Sequence, residues 1–135
     1  MATRSTIAVV NPDNTVTQIY CHWDGYLSHN GRILKESYTT LNAVKELISH
    51  GDLSVLAPKV NPTGEHSFDK PERGVCVYYG RDRGEKNTKP RTYSNLKVFL
   101  RNMQCEEYDY VFKDNEWFIV SGVSLVGYSI PIEVD

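Results

Sequence analysis

Apolar positions along this chain recur with two different periods. Thr6–Val10 is a short apolar run that stops at Asn11-Pro12-Asp13-Asn14, a strong turn signal. Thr15–Cys21 then alternates, with Val16, Gln18 and Tyr20 opposite Thr17, Ile19 and Cys21, so the two runs predict a β-hairpin. From Gly31 to His50 the spacing becomes helical: Leu34, Tyr38, Leu41, Val44, Leu47 and Ile48 recur every three or four residues. Thr39-Thr40 interrupts that stretch, because β-branched residues lose rotamer freedom in a helix. Thr40 or Asn42 is the expected cap of its second half, and Gly51 the stop.

Pro58–Gly74 holds three prolines, two glycines and few large apolar residues, and reads as a long surface loop with Val60 and Phe68 as anchors. Val75–Tyr79 predicts a short strand, and Gly80–Arg91 a second loop. Ser94 is the expected N-cap of another helix. Tyr93 and Val98 stand at hydrophobic-staple spacing around it, and Leu96, Phe99, Leu100 and Met103 supply the buried face. Glu107–Phe112 and Trp117–Val120 flank Lys113-Asp114-Asn115-Glu116 as a further hairpin. Val123–Ile132 adds an edge strand limited by Pro131. The order β-β-α-(α)-β-α-β-β-β predicts an α+β fold: a mainly antiparallel sheet with two or three helices covering one face. With 135 residues, one compact domain spanning 1–135 is expected, with a surface loop near 58–74 and a basic loop near 80–92.

Charge changes the picture only locally. Fifteen basic and 17 acidic residues give a net charge of -2, which disfavours a general double-stranded DNA binder and leaves a weak case for nucleic acid. Arg81–Arg91 departs from that balance with five positive and two negative side chains. The odd cysteine count (Cys21, Cys76, Cys105) argues against a disulfide framework and for a reduced cytoplasmic protein. No run reaches membrane-spanning length, so no membrane partner is expected, and no cofactor fingerprint is present.

Two polar-aromatic segments follow alternating runs. In Tyr20-Cys-His-Trp-Asp-Gly-Tyr26, His22 is a candidate general base and Asp24 its orienting carboxylate, with Trp23 and Tyr26 as contact rings. No nucleophile stands at a matching spacing, and His22, Asp24 and His29 match no recognised metal pattern, so neither catalysis nor a metal is the leading reading. In Tyr78-Tyr-Gly-Arg-Asp-Arg-Gly-Glu85, Arg81 and Arg83 flank Asp82, and their planar forks suit phosphate or carboxylate. Tyr79 offers a stacking ring, and Arg91 stands just before the next helix. The segment lacks the Walker A and dinucleotide glycine spacings. Glu106, Glu107, Asp109, Asp114 and Glu116 are a possible complement to Arg81–Arg91 in a homodimer.

These two segments, with Met-Ala-Thr-Arg-Ser-Thr-Ile-Ala at residues 1–8 and Glu106-Glu-Tyr-Asp-Tyr-Val111, make the chain resemble a family of small bacteriophage accessory proteins over nearly its whole length. The resemblance implies a protein made in the host bacterial cytoplasm that binds or inhibits a host-derived factor, as anti-defence proteins do. Taken with the residues, it predicts a non-enzymatic binder of an anionic nucleotide-like ligand or an acidic host protein, using Arg81, Arg83, Arg91, Tyr79, Trp23 and Tyr26. One alternative is a phosphodiester hydrolase or nuclease built on His22, Asp24 and an arginine-lined phosphate site. Another is a structural, homo-oligomeric protein of the virion.

Overall fold

Five of the six residues of strand β1 (Ser5–Val10) are buried, the sign of a strand covered on both faces. The computed structural model describes residues 2–131 and places β1 in the middle of a sheet. On one side β1 pairs antiparallel with β2 (Val16–Cys21), through the Asn11–Asn14 turn. On the other it pairs in parallel with β6 (Tyr108–Lys113). The remaining strands are β3 (Leu53–Val55), β4 (Val77–Tyr78), β5 (Arg91–Tyr93), β7 (Glu116–Ser121) and β8 (Ser124–Gly127). The sheet runs β4-β3-β2-β1-β6-β7-β8, with β5 paired to the first half of β2. Apart from β1–β6 and the single β2–β3 bridge, the strand pairs are antiparallel.

Alternation along β1 divides the apolar residues between two layers. Ile7 and Val9 join Tyr110 and Phe112 under helices α1 (Arg32–Ser37) and α2 (Leu41–Ser49), which contribute Leu34, Val44, Leu47 and Ile48. Ala8, Val16 and Val111 face the other way, onto Phe99 of α4 (Leu96–Asn102) and Met103. Two helices therefore cover one face, and a third helix closes part of the opposite face. The fold is α+β with a mostly antiparallel sheet.

Local signals place α2 well. Thr40 has extended backbone geometry and its side chain accepts the Ala43 N–H at 3.2 Å. Gly51 ends the turn that follows α2 at φ +85, with Thr88 O only 2.1 Å from where a Cβ would stand. The last helix differs from expectation by one residue. Asn95, not Ser94, caps α4, its side chain accepting the Val98 N–H at 2.9 Å. The strand expected over Val75–Tyr79 shrinks to Val77–Tyr78. Tyr79–Arg83 then turns into a short helix, α3, where the glycine-containing sequence suggests loop. Leu27–Gly31 forms a π-helical turn ahead of α1. The final edge strand covers Ser124–Gly127 rather than the expected Val123–Ile132, of which Ile132 lies outside the described residues. Among the described residues, no helix is long and apolar enough to cross a membrane.

Candidate functional site

The two polar-aromatic segments flank β3 but leave it in opposite directions. β2 runs parallel to β3 through Cys21 and Leu53, whereas β4 runs antiparallel to it, with Tyr78 opposite Leu53. The chain after Cys21 follows β3 forward, His22 N–H bonding to Leu53 O and Trp23 N–H to Ser54 O. The chain after Tyr78 passes back along the start of β3, where Tyr79 N–H bonds to Asp52 O at 3.2 Å. Asp52 is the junction between them. Its Oδ1 accepts both Tyr20 N–H at 2.8 Å and the Arg91 guanidinium at 3.1 Å.

In the first segment Asp24 adopts φ +54 and breaks the strand, so His22 and Asp24 do not continue the alternation that would align them. The hydrogen-bond partner of His22 Nδ1 is the Tyr20 hydroxyl at 2.8 Å, and the ring meets Trp23 edge-on with centroids 4.7 Å apart. Beneath this turn lies Asn30, fully buried, whose Nδ2 donates to Ser5 Oγ, Cys21 Sγ and Trp23 O. Since Asn30 Oδ1 can only accept, the 2.8 Å bond to His29 Nδ1 puts a hydrogen on that nitrogen. Burial pushes the Cys21 thiol up to about 12, so it is held as a neutral thiol and not as a nucleophilic thiolate. Trp23 and Tyr26 keep 42% and 38% of their surface exposed. The turn is internally satisfied and shows its rings to solvent.

The second segment sorts its charges by direction. Arg81 points inward. Its guanidinium bonds to both Asp82 oxygens at 2.9 and 3.1 Å, to Val60 O at 2.6 Å and to Cys76 O at 2.9 Å, and it covers the Tyr78 ring. Asp82 Oδ2 also accepts the Tyr78 N–H at 2.8 Å, reaching back to the start of α3. His66, far away in the long loop, completes the cluster. Its Nδ1 accepts the Glu72 N–H at 2.9 Å, so Nε2 carries the hydrogen and donates to Asp82 at 3.2 Å. Burial alone would raise the Asp82 pKa, but Arg81, the Tyr78 N–H and His66 outweigh it and hold the carboxyl below its ordinary value.

Arg83, on the outer side of α3, has a different environment. Its guanidinium lies 4.3 Å from the Phe68 ring centroid and 5.1 Å from that of Tyr79, and the two rings are 5.7 Å apart. Among the described residues its carboxylate partner is Glu85, and the two side chains are 49% and 43% exposed. Lys86 and Lys89 follow on an exposed loop. Arg91 is turned back to Asp52, and its buried Nε meets no hydrogen-bond partner among the described residues.

Of the six candidate contact residues, Tyr79 and Arg83 meet in one place and Trp23 and Tyr26 share another turn. Arg81 and Arg91 are engaged within the fold. Phe68, expected only as a loop anchor, belongs with Tyr79 and Arg83. His66 and Asp52 are the organising residues that local spacing does not reveal. Glu106 and Asp109 of the acidic stretch are also engaged internally: Asp109 accepts from Thr6 Oγ1 at 2.6 Å and from the Glu106 N–H, and Glu106 accepts from the Gln104 amide. Among the described residues, no three His, Cys, Asp or Glu side chains gather closely enough to hold a metal ion. Among the described residues, the best-formed surface cavities, of about 180–480 Å³, are lined by other parts of the chain. No protein-family model, curated protein or solved structure matches the chain.

Proposed function

We propose that the protein is a non-enzymatic accessory module that docks on an acidic surface of a host-derived protein in the bacterial cytoplasm. The observation that carries this reading is Arg83, whose guanidinium rests on Phe68 and Tyr79 with half of the side chain open to solvent. The rings hold the fork in place before any partner arrives, which lowers the ordering cost of binding. Its exposed ion pair with Glu85 is worth no more than about 1 kcal/mol, so a partner carboxylate can displace Glu85 easily. Arg and Tyr are the side chains most often found at the centre of such contacts.

A protein surface suits this arrangement better than a nucleotide. Small ligands bind in concave sites that bury most of their surface, whereas Arg83 lies across two rings beside an exposed lysine-bearing loop. The hydrolase alternative finds less support, because His22 bonds to Tyr20 and Asp24 occupies the turn.

The test is affinity capture from bacterial cytosol with the wild-type protein and with Arg83→Glu, beside calorimetric titration with nucleotides. The expected result is one acidic protein recovered stoichiometrically by the wild type, released by salt, and lost with Arg83→Glu. Equal recovery by both proteins, or stoichiometric nucleotide uptake in its place, would overturn the reading.

A further inference from the structure

Arg83 stands on two rings of different origin. Tyr79 belongs to α3 itself, whereas Phe68 comes from the long loop at residues 58–74. The ring centroids lie 5.7 Å apart only while the loop rests against the helix. Half of the Arg83 platform is therefore delivered by a loop that has to be held in place.

The loop is a braced unit on a narrow neck. Main-chain bonds close the neck, Lys59 N–H to Gly74 O at 3.1 Å and Cys76 N–H to Lys59 O at 2.8 Å. Beyond it, the Glu72 carboxylate accepts the Thr63 and Gly64 N–H groups and the Thr63 hydroxyl, and Ser67 and Lys70 bond to each other. Among the described residues, the hydrogen bonds and ring contacts that residues 61–73 make outside the loop and its neck all end on α3. His66 Nε2 donates to Asp82 Oδ2 at 3.2 Å, Phe68 N–H bonds to Asp82 O at 3.3 Å, and the Phe68 ring meets Tyr79 and Arg83.

We propose that this loop is a clasp whose closure on α3 completes the Arg83 contact surface, and that His66 is the positioning residue that holds it shut. The proposal rests on Arg83 being the docking residue. The His66 side chain is 2% exposed, so it acts on a partner only through what it holds. Its two nitrogens have separate tasks: Nδ1 accepts the Glu72 N–H inside the loop, and Nε2 ties the loop to the helix. Phe68 follows two residues later, so the Nε2 bond sets where that ring stands. With the clasp open, Phe68 leaves with the loop, and Arg83 keeps only Tyr79 and the exposed Glu85. A partner would then have to order the arginine itself, a cost that the closed clasp has already met.

The test separates the two nitrogens. Glutamine in place of His66 sets its amide nitrogen where Nε2 stands and still donates to Asp82. Asparagine reaches only the place of Nδ1, so it accepts the Glu72 N–H but leaves Asp82 untied. His66→Gln and His66→Asn are compared with the wild type and Phe68→Leu, with circular dichroism to show that each is folded. The readouts are the ring-shifted δ-methylene resonances of Arg83, assigned against Arg83→Lys, tryptic cleavage at Arg73–Gly74, and calorimetric titration with poly-L-glutamate as the carboxylate probe. His66→Gln is expected to keep the ring shift, the slow cleavage and the affinity of the wild type. His66→Asn is expected to lose the ring shift, as Phe68→Leu does, and to be cut about tenfold faster, the factor given by losing one hydrogen bond to a charged group. It should also bind the probe about fivefold more weakly, the cost of ordering one long side chain. An unchanged Arg83 ring shift in His66→Asn would reduce His66 to a brace of the loop and overturn the proposal. So would equal losses in His66→Gln and His66→Asn. If the ring shift follows His66 as expected while the wild type binds neither the probe nor an acidic protein, the docking reading fails and the clasp stands.

Discussion

The turn at His22–Tyr26 and the helix at Tyr79–Arg83 start from similar positions, each just beyond a strand that pairs with β3, yet they are built by different means. The first is held by neutral hydrogen bonds centred on Asn30, and its rings Trp23 and Tyr26 stay in solvent. The second is held by charge: Arg81, Asp82 and His66 close on one another inside, and Arg83 alone of the helix's charged residues lies on the outer side, half open to solvent. The difference teaches that a run of alternating charges is not a surface property. Two arginines two residues apart on one short helix have opposite tasks, one organising the fold and one offered to solvent.

The largest effect expected from breaking this contrast is at Asp82. Asp82→Ala leaves the largely buried Arg81 guanidinium without its carboxylate and His66 without its acceptor, which predicts a loss of about 3 kcal/mol in denaturant unfolding. The long loop, pinned to α3 through His66, Phe68 and Val60 O, should become the first site of proteolysis. The charge dependence has a defined sign. Because the folded pKa of Asp82 is below its ordinary 3.8, the ionised carboxylate stabilises the fold in full above that value. The contribution is lost as pH falls through the lower folded value. Asp109 acts in the opposite sense, since burial raises its pKa despite the Thr6 and Glu106 hydrogen bonds. The gap in stability between wild type and Asp82→Ala should therefore narrow as pH falls below 3.8, a comparison in which the contribution of Asp109, present in both, cancels.

Asn30→Ala makes the equivalent change in the neutral turn. It removes the donor to Ser5, Cys21 and Trp23 and the acceptor for His29 in a fully buried place, so a loss of about 2 kcal/mol is expected. No carboxylate is removed, so its gap from wild type should stay flat through the acid range where that of Asp82→Ala narrows. A matching slope in both variants would erase the distinction between a charge-built and a neutral site.

These two regions also mark where sequence reading stops. The β1–β2 turn, the break at Thr39-Thr40, the Thr40 cap and the positive φ at Gly51 were legible because each depends on residues near one another in the chain, whereas the approach of Thr88 O to Gly51 was not. β3 and β5 were not: each is three residues long and exists through pairing with distant strands, β3 with β2 and β4 and β5 with β2, so no period can build up. Helix α3 was hidden by Gly80, and its stability comes from Asp82 bonding back to the Tyr78 N–H. The aromatic–arginine content of the site was visible, and its orientation was not. Nothing near Arg81 announces that His66, 15 residues earlier, faces the same cluster and turns that charge inward.

The smallest effect on stability should come from Arg83, and this is what separates it from Arg81. Arg83→Ala removes a half-exposed ion pair and its contacts with two rings, together worth about 1 kcal/mol at such a site. Arg81→Ala instead empties four hydrogen bonds and strands Asp82, and should cost several times as much. Thermal unfolding of the two single variants measures this directly. If Arg83→Ala unfolds as early as Arg81→Ala, the outer arginine is structural as well, and α3 has no residue left over for a partner. If Arg83→Ala melts with the wild type while losing the captured protein, stability and recognition reside on opposite sides of the same five-residue helix.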